Sequence, residues 1–178
     1  AILARDAAVL SLGREVFMNN CAGCHGADAH GAIGFPNLAD HDSLFGSSPD
    51  MILASITSGR GAQMPPFNGV LSADAVQALV SLVRRWPDTT LDAAIRDAGM
   101  KSYSVYCAAC HGADGKGSFA MGAPNLTDDT WLFGGSAEQV RHTILFGRST
   151  QMPAHQDLLS PDDIRAVASY VYSLSLTP

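Results

Sequence analysis

The sequence predicts an all-α protein of two tandem domains, residues 1–88 and 89–178. Three observations carry that expectation. The chain is an internal duplication, which sets the domain count. Each copy holds one Cys-x-x-Cys-His pattern, Cys21-Ala22-Gly23-Cys24-His25 and Cys107-Ala108-Ala109-Cys110-His111. Around these patterns run apolar residues at helical spacing with clear start and stop signals, while strand signals are weak throughout.

The duplication is read segment by segment. CAGCHGAD at 21–28 recurs as CAACHGAD at 107–114, and GFPNLAD at 34–40 as GAPNLTD at 122–128. Leu44-Phe45-Gly46 returns as Leu132-Phe133-Gly134, Gly59-Arg60 as Gly147-Arg148, and Gln63-Met64-Pro65 as Gln151-Met152-Pro153. The second copy is longer by two residues, inserted near Phe119 and Ala120. The joint falls at Trp86-Pro87-Asp88-Thr89-Thr90, a short polar link after a helix.

Within each half the order of elements is the same. A first helix runs from Ala7 to Asn20, with Leu10, Val16 and Phe17 on one face, and its counterpart from about Asp92 to Tyr106. Phe17 and Tyr103 lie four residues before the first cysteine of each motif, one turn away on the same face, and are expected where this helix meets the last one. A middle helix starts at Ser48-Pro49, an N-cap followed by proline, and stops at Gly59; its copy starts at Ser136 and stops at Gly147. A final helix follows Ser72 and Ser160. Its buried stripe is Val76, Leu79, Val80 and Val83 in the first half and Ile164, Val167, Ala168 and Val171 in the second.

The Cys-x-x-Cys-His spacing is the attachment signature of a c-type haem. Two thiols reach the two vinyl groups of one porphyrin and form thioethers, and the adjacent imidazole reaches the iron from one face. The two matches use all four cysteines. Disulfides between such close thiols would be strained, structural zinc pairs normally sit about 15–20 residues apart, and a dithiol redox motif needs strands around it. Two covalently attached haem c groups are therefore expected, one on Cys21, Cys24 and His25, the other on Cys107, Cys110 and His111. Halves this small make poor independent cores, and a covalent haem supplies an apolar disc for helices to wrap.

The sixth iron ligand decides between gas or peroxide binding and electron passage. Met64 and Met152 are the candidates, since they share a place in the repeat and each precedes a proline, which disfavours helix at the methionine. Met18, Met51, Met100 and Met121 have no partner in the other half and read as gap-filling core residues. His30, His41, His142 and His155 are rival ligands without a histidine at the equivalent repeat position, and each is expected at the surface; His155 lies three residues beyond Met152. Arg60 and Arg148 recur just before the methionines. Either suits a haem propionate or a backbone carbonyl, or simply a helix C-terminus. Histidine–methionine ligation would stabilise Fe(II), raise the reduction potential and leave no open face.

Composition bounds the partners. The chain has 178 residues, is 47% apolar and carries a formal charge of −6. An acidic surface argues against nucleic acid and favours a redox partner with a positive docking patch. No apolar run approaches the ~20 residues of a membrane helix. The stretch Ala1 to Leu12 lacks the basic start and long apolar centre of a signal peptide, so any leader or membrane anchor is expected to have been removed.

GAPNLTDDTWLFGG, GRSTQMP and the ending VASYVYSL resemble the second haem domain of the diheme cytochrome c subunit of bacterial cbb-type haem–copper oxidases. NNCAGCHGADAHGAIGFPNL resembles its first haem domain, and the likeness covers nearly the whole chain. It implies two class I cytochrome c domains, each a few helices wrapped around one haem, ligated by His25 with Met64 and by His111 with Met152. It also implies a periplasmic relay of single electrons from a donor dehydrogenase or cytochrome to an acceptor oxidase or reductase. Two departures stand out: that subunit carries an N-terminal membrane helix, and Ser43 stands where the second copy has Trp131. A free periplasmic diheme cytochrome is the close alternative. A diheme enzyme, peroxidase-like or thiosulfate-oxidising, would need one labile haem face, and a haem sensor would need a signalling domain for which the chain leaves no room.

Overall fold

The computed structural model describes residues 5–176, so the start of the Ala1 to Leu12 segment lies outside the described residues. The elements in chain order are α1 (Ala7–Asn20), α2 (Ala22–His25), α3 (Pro49–Ser58), β1 (Arg60–Met64), α4 (Ala73–Arg84), α5 (Ala93–Tyr106), α6 (Ala108–His111), α7 (Ala137–Phe146), β2 (Arg148–Met152) and α8 (Pro161–Leu174). The expected helices are all present. Their ends follow from local chemistry: Asp6 and Asp92 accept the free N–H groups of α1 and α5, and Ser48, Ser72, Ser136 and Ser160 do the same for α3, α4, α7 and α8. Ser136 and Gln139 close a reciprocal capping box.

The strands differ from expectation. Gly59 and Gly147 stop α3 and α7 at φ 69°, a left-handed turn that glycine makes without a Cβ clash. The chain then leaves fully extended, and β1 and β2 form a two-stranded sheet. Met64 and Met152 end these strands rather than sitting on a loop. Five extended residues carry the chain roughly 16 Å from the helix it has just left.

That excursion changes the domain plan. The chain forms two compact units, one made of Ala1–Gly61 with Thr150–Pro178, the other of Ala62–Ser149. The expected boundary at 88/89 separates the repeats, and each compact unit combines segments of both repeats.

In the discontinuous unit, α1 and α3 pack against α8. The crossing is close because Gly13 presents no side chain: a Cβ there would lie 2.8 Å from both the Ala166 carbonyl carbon and the Tyr170 Cβ. The core holds Val16, Phe17, Ala29, Ile56, Ile164, Val167, Ala168 and Val171. Phe17 meets Tyr170 with ring centroids 5.5 Å apart. Each large aliphatic side chain so buried contributes roughly 1.5–3 kcal/mol.

In the continuous unit, α4 packs against α5 and α7. Gly99 makes the corresponding close crossing, with Leu82 Cβ 2.8 Å and the Ala78 carbonyl oxygen 3.0 Å from where its Cβ would stand. The core holds Val76, Leu79, Val80, Leu82, Val83, Tyr103, Val140 and Ile144. Trp86 stacks edge-on against Tyr103 at 4.8 Å, in space that Gly115 leaves open: a Cβ at Gly115 would lie 2.8 Å from the Trp86 ring. The other unit has Leu174 and Ala29 at these two places, a smaller helix side chain accompanied by a larger loop one, both at its core. The predicted polar link is ordered here: Arg85 pairs with Asp88, and Arg96 donates to the Trp86 and Asp88 carbonyls. Among the described residues no helix is long and apolar enough to cross a membrane.

Candidate functional site

Each Cys-x-x-Cys-His motif is a one-turn continuation of a long helix. Cys21 N–H still donates to the Phe17 carbonyl at 2.8 Å, but φ −119° at Cys21 bends the chain. Cys24 and His25 then both donate their N–H to the Cys21 carbonyl. The second copy repeats this at Cys107, Cys110 and His111. One turn therefore brings two thiols and an imidazole to the end of α1 or α5, as attachment to a single porphyrin edge requires. None of the four cysteines is in a disulfide. Burial, with the neighbouring Cys24, lifts the Cys21 thiol above its usual range, and burial with Cys110 lifts Cys107 to about 11. Among the described residues no group of three or more His, Cys, Asp or Glu side chains converges to hold a metal ion.

Both histidines are buried, and each is oriented by a proline carbonyl. His25 Nδ1 lies 3.1 Å from the Pro36 oxygen and His111 Nδ1 3.0 Å from the Pro124 oxygen. A carbonyl only accepts, so Nδ1 carries the proton and Nε2 presents its lone pair. Burial pulls His111 below the ordinary histidine value, against the Pro124 hydrogen bond, which keeps the ring neutral and able to ligate. The loop carrying each proline is tied back to its motif: Gly31 N–H bonds the His25 carbonyl and Gly117 N–H the His111 carbonyl, both at 2.8 Å. Thiols, locked imidazole and apolar surroundings together fit a covalently bound haem. The repeated PNL segment was visible in sequence; its role as the carbonyl that holds the imidazole was not.

Met152 packs against the core that Cys21 and Ala22 border, and Met64 against the core bordered by Cys107 and Ala108. The backbone beyond each methionine is pinned to the same unit. His155 N–H donates to Ile56 O at 3.0 Å at the end of α3, and Phe67 N–H to Ile144 O at 3.1 Å at the end of α7. The pairing implied by the resemblance is His25 with Met64 and His111 with Met152. The extended strands pack each methionine against the core bordered by the motif cysteine of the other repeat. In the continuous unit Met64, Pro65, Phe146 and Arg148 line a cleft of about 390 Å³.

Arg60 and Arg148 stay within their own repeats. Arg60 Nε donates to Ser55 Oγ at 2.9 Å, and its guanidinium lies 5.5 Å from the Phe45 ring centre. Arg148 gives two hydrogen bonds to Thr143 Oγ1, 2.9 and 2.8 Å long, and stacks 4.4 Å over Phe133. The recurring Leu-Phe-Gly segment is thus the platform for the recurring arginine. Of the rival histidines, His30 is exposed beside Asp28 and His142 packs on Phe146, whereas His155 is buried.

A family model described as cytochrome c oxidase, cbb3-type, subunit III matches residues 8–83 and 93–171, one copy per repeat. The cbb3-type cytochrome c oxidase subunit CcoP of Rubrivivax gelatinosus is 41% identical over 176 residues, covering 98% of this chain and 58% of that protein. The CcoP subunit of Cereibacter sphaeroides is 39% identical over 173 residues, covering 91% of this chain and 60% of that protein. The FixP subunit of Bradyrhizobium diazoefficiens is 40% identical over 185 residues, with 96% and 64% covered. The chain thus spans about three fifths of the length of these relatives. It belongs to the family of cbb3-type cytochrome c oxidase subunit III, and its two motifs carry two covalently bound haem c groups.

Proposed function

We propose that this chain relays single electrons from a cytochrome or dehydrogenase donor toward the core of a terminal oxidase, on the periplasmic side of a bacterial membrane. Its ligand sets cross between repeats: His25 with Met152, and His111 with Met64. The observation that carries the reading is the placement of each methionine against the core bordered by the other repeat's motif cysteine. Kinship with oxidase subunits supports the direction of electron flow.

When bound, each haem iron supplies reversible one-electron chemistry between Fe(III) and Fe(II). The residues determine how easily that happens. The Pro36 and Pro124 carbonyls hold the imidazoles in one tautomer and one orientation. The methionine thioether is a soft ligand that favours the reduced state and raises the potential. Apolar cores exclude water and penalise the extra charge of the oxidised centre. With a nitrogen and a sulfur assigned to each iron, no face is left for substrate, and the chain works as a carrier rather than an enzyme.

Carbon monoxide added to the reduced protein tests this. Saturated irons give no rapid change in the absorption spectrum. Rapid binding at either native haem would contradict the reading and favour a peroxidase-like function.

A further inference from the structure

His155 is a buried polar residue of the first haem unit that neither attachment nor ligation uses. It is 8% exposed, and its Nδ1 has no hydrogen-bond partner in the protein. Its backbone is fully engaged: the N–H donates to Ile56, and the carbonyl accepts from the N–H groups of Leu158 and Leu159. Only Nδ1 of the ring is buried without a partner. Buried polar atoms are almost always paired, because an unpaired one keeps the cost of its lost hydration.

The repeat says where this ring stands. Its counterpart is Phe67, which packs against the core of the continuous unit alongside Met64 and Cys107 and sets its ring edge-on to Tyr106 at 6.1 Å. The Tyr106 position is Asn20 in the first repeat, and Asn20 turns its amide N–H back to the Val16 carbonyl. An apolar pair at one haem is thus a histidine with no protein partner at the other. A haem buries one large apolar surface and brings two carboxylates, its propionates. A carboxylate is the partner that Nδ1–H lacks.

We propose that His155 Nδ1–H donates a hydrogen bond to a propionate of the haem held by Cys21 and Cys24. This raises that haem's reduction potential relative to the one beside Phe67, because it withdraws negative charge that would otherwise favour Fe(III). The inference rests on the crossed assignment, which places Met152 and the loop after it at the first haem.

The test uses the full chain carrying both haems. The potential of each haem is titrated separately, the propionate bending vibrations are followed by resonance Raman, and the methionine-to-iron absorption band is monitored throughout. His155→Phe installs the residue of the other site, and His155→Gln keeps a donor. The expected result is a lower potential and an altered propionate vibration at the first haem only for His155→Phe, with partial recovery in His155→Gln. If His155→Phe yields no folded protein, His155→Gln and Phe67→His decide the matter, the latter raising the potential of the second haem. Unchanged potentials and vibrations, with the methionine band intact, would overturn the proposal and leave a water as the partner of Nδ1. A changed second haem in either His155 variant would instead sink the crossed assignment.

Discussion

Gly59 and Met152 stand backbone to backbone: a Cβ on the glycine would lie 2.5 Å from the methionine's carbonyl oxygen. Gly147 and Met64 repeat this relationship, with Pro65 carbonyl carbon 2.9 Å from the missing Cβ. Each glycine ends the middle helix of one repeat, and each methionine ends the strand of the other. Each compact unit therefore joins the middle helix of one repeat to the strand end of the other at the backbone level.

Cutting the chain between residues 88 and 89 should leave two incomplete proteins. The first would keep α1 without α8, and the second α5 without α4, although these are the helices that pack together. Separately produced halves should lack the methionine-to-iron absorption band and show weak helical circular dichroism. Mixing them before haem attachment should restore both. A fragment of residues 62–149, the continuous unit, should hold one haem with both ligands by itself. Halves that are each native-like alone would refute the exchange.

Gly13→Ala and Gly99→Ala should each lower stability by about 1–3 kcal/mol, since overpacking outweighs the roughly 0.5–1 kcal/mol of helix propensity that alanine adds. The Leu82 Cβ and Ala78 carbonyl leave no room at Gly99, and the α8 backbone leaves none at Gly13. Thermal unfolding followed at each haem would show the loss, and an unchanged midpoint would contradict the close crossings.

Much of this fold was legible in residue types. Serines marked the starts of four helices, two glycines marked the stops, and the cysteine–histidine spacing marked the cofactor; the aspartate caps Asp6 and Asp92 emerged only with the fold. The exchange was not legible, because near-identical repeats offer the same apolar stripe to either partner. Val76, Leu79, Val80 and Val83 fit α1 as readily as α5 by pattern alone. What decides is the extended run after Gly59, and Arg60-Gly61-Ala62-Gln63-Met64 has little strand propensity to announce it. Gly13 and Gly99 share a place in the repeat, but the close crossings they permit emerged only with the fold. His155 showed its three-residue spacing from Met152, but its burial needed the fold.

Tyr103 donates its hydroxyl to the Gly112 carbonyl at 2.6 Å from a fully buried position. Tyr103→Phe, which copies Phe17 of the other repeat, should cost about 0.5–1.5 kcal/mol. Burial, with the Asp114 charge adding to it, raises the Tyr103 pKa to about 12. A raised folded value means stability is complete below the ordinary tyrosine value near 10 and is lost as pH climbs toward 12. The variant should therefore unfold less steeply over that alkaline range in a pH-dependent denaturation series, and an unaltered slope would count against the buried hydroxyl.

Asp88 should govern an acid transition at the joint between repeats. Hydrogen bonds from Thr90 and Arg85 lower its pKa to about 2. A depressed folded value contributes stability above the ordinary carboxylate value near 4 and loses it as pH falls toward 2. Asp88→Asn should flatten the pH dependence of unfolding in that window. Titration of the Asp88 carboxyl carbon by NMR would check the same point, and a midpoint near 4 would refute the network.

The crossed ligand sets are tested most directly by replacing one methionine at a time, Met64→Ala or Met152→Ala, and recording the spectrum and potential of each haem in the two-haem protein. Met152→Ala should lower the potential and open the iron of the haem on Cys21 and Cys24, and Met64→Ala that of the haem on Cys107 and Cys110. Loss at the haem of the same repeat, or at neither, would contradict the account.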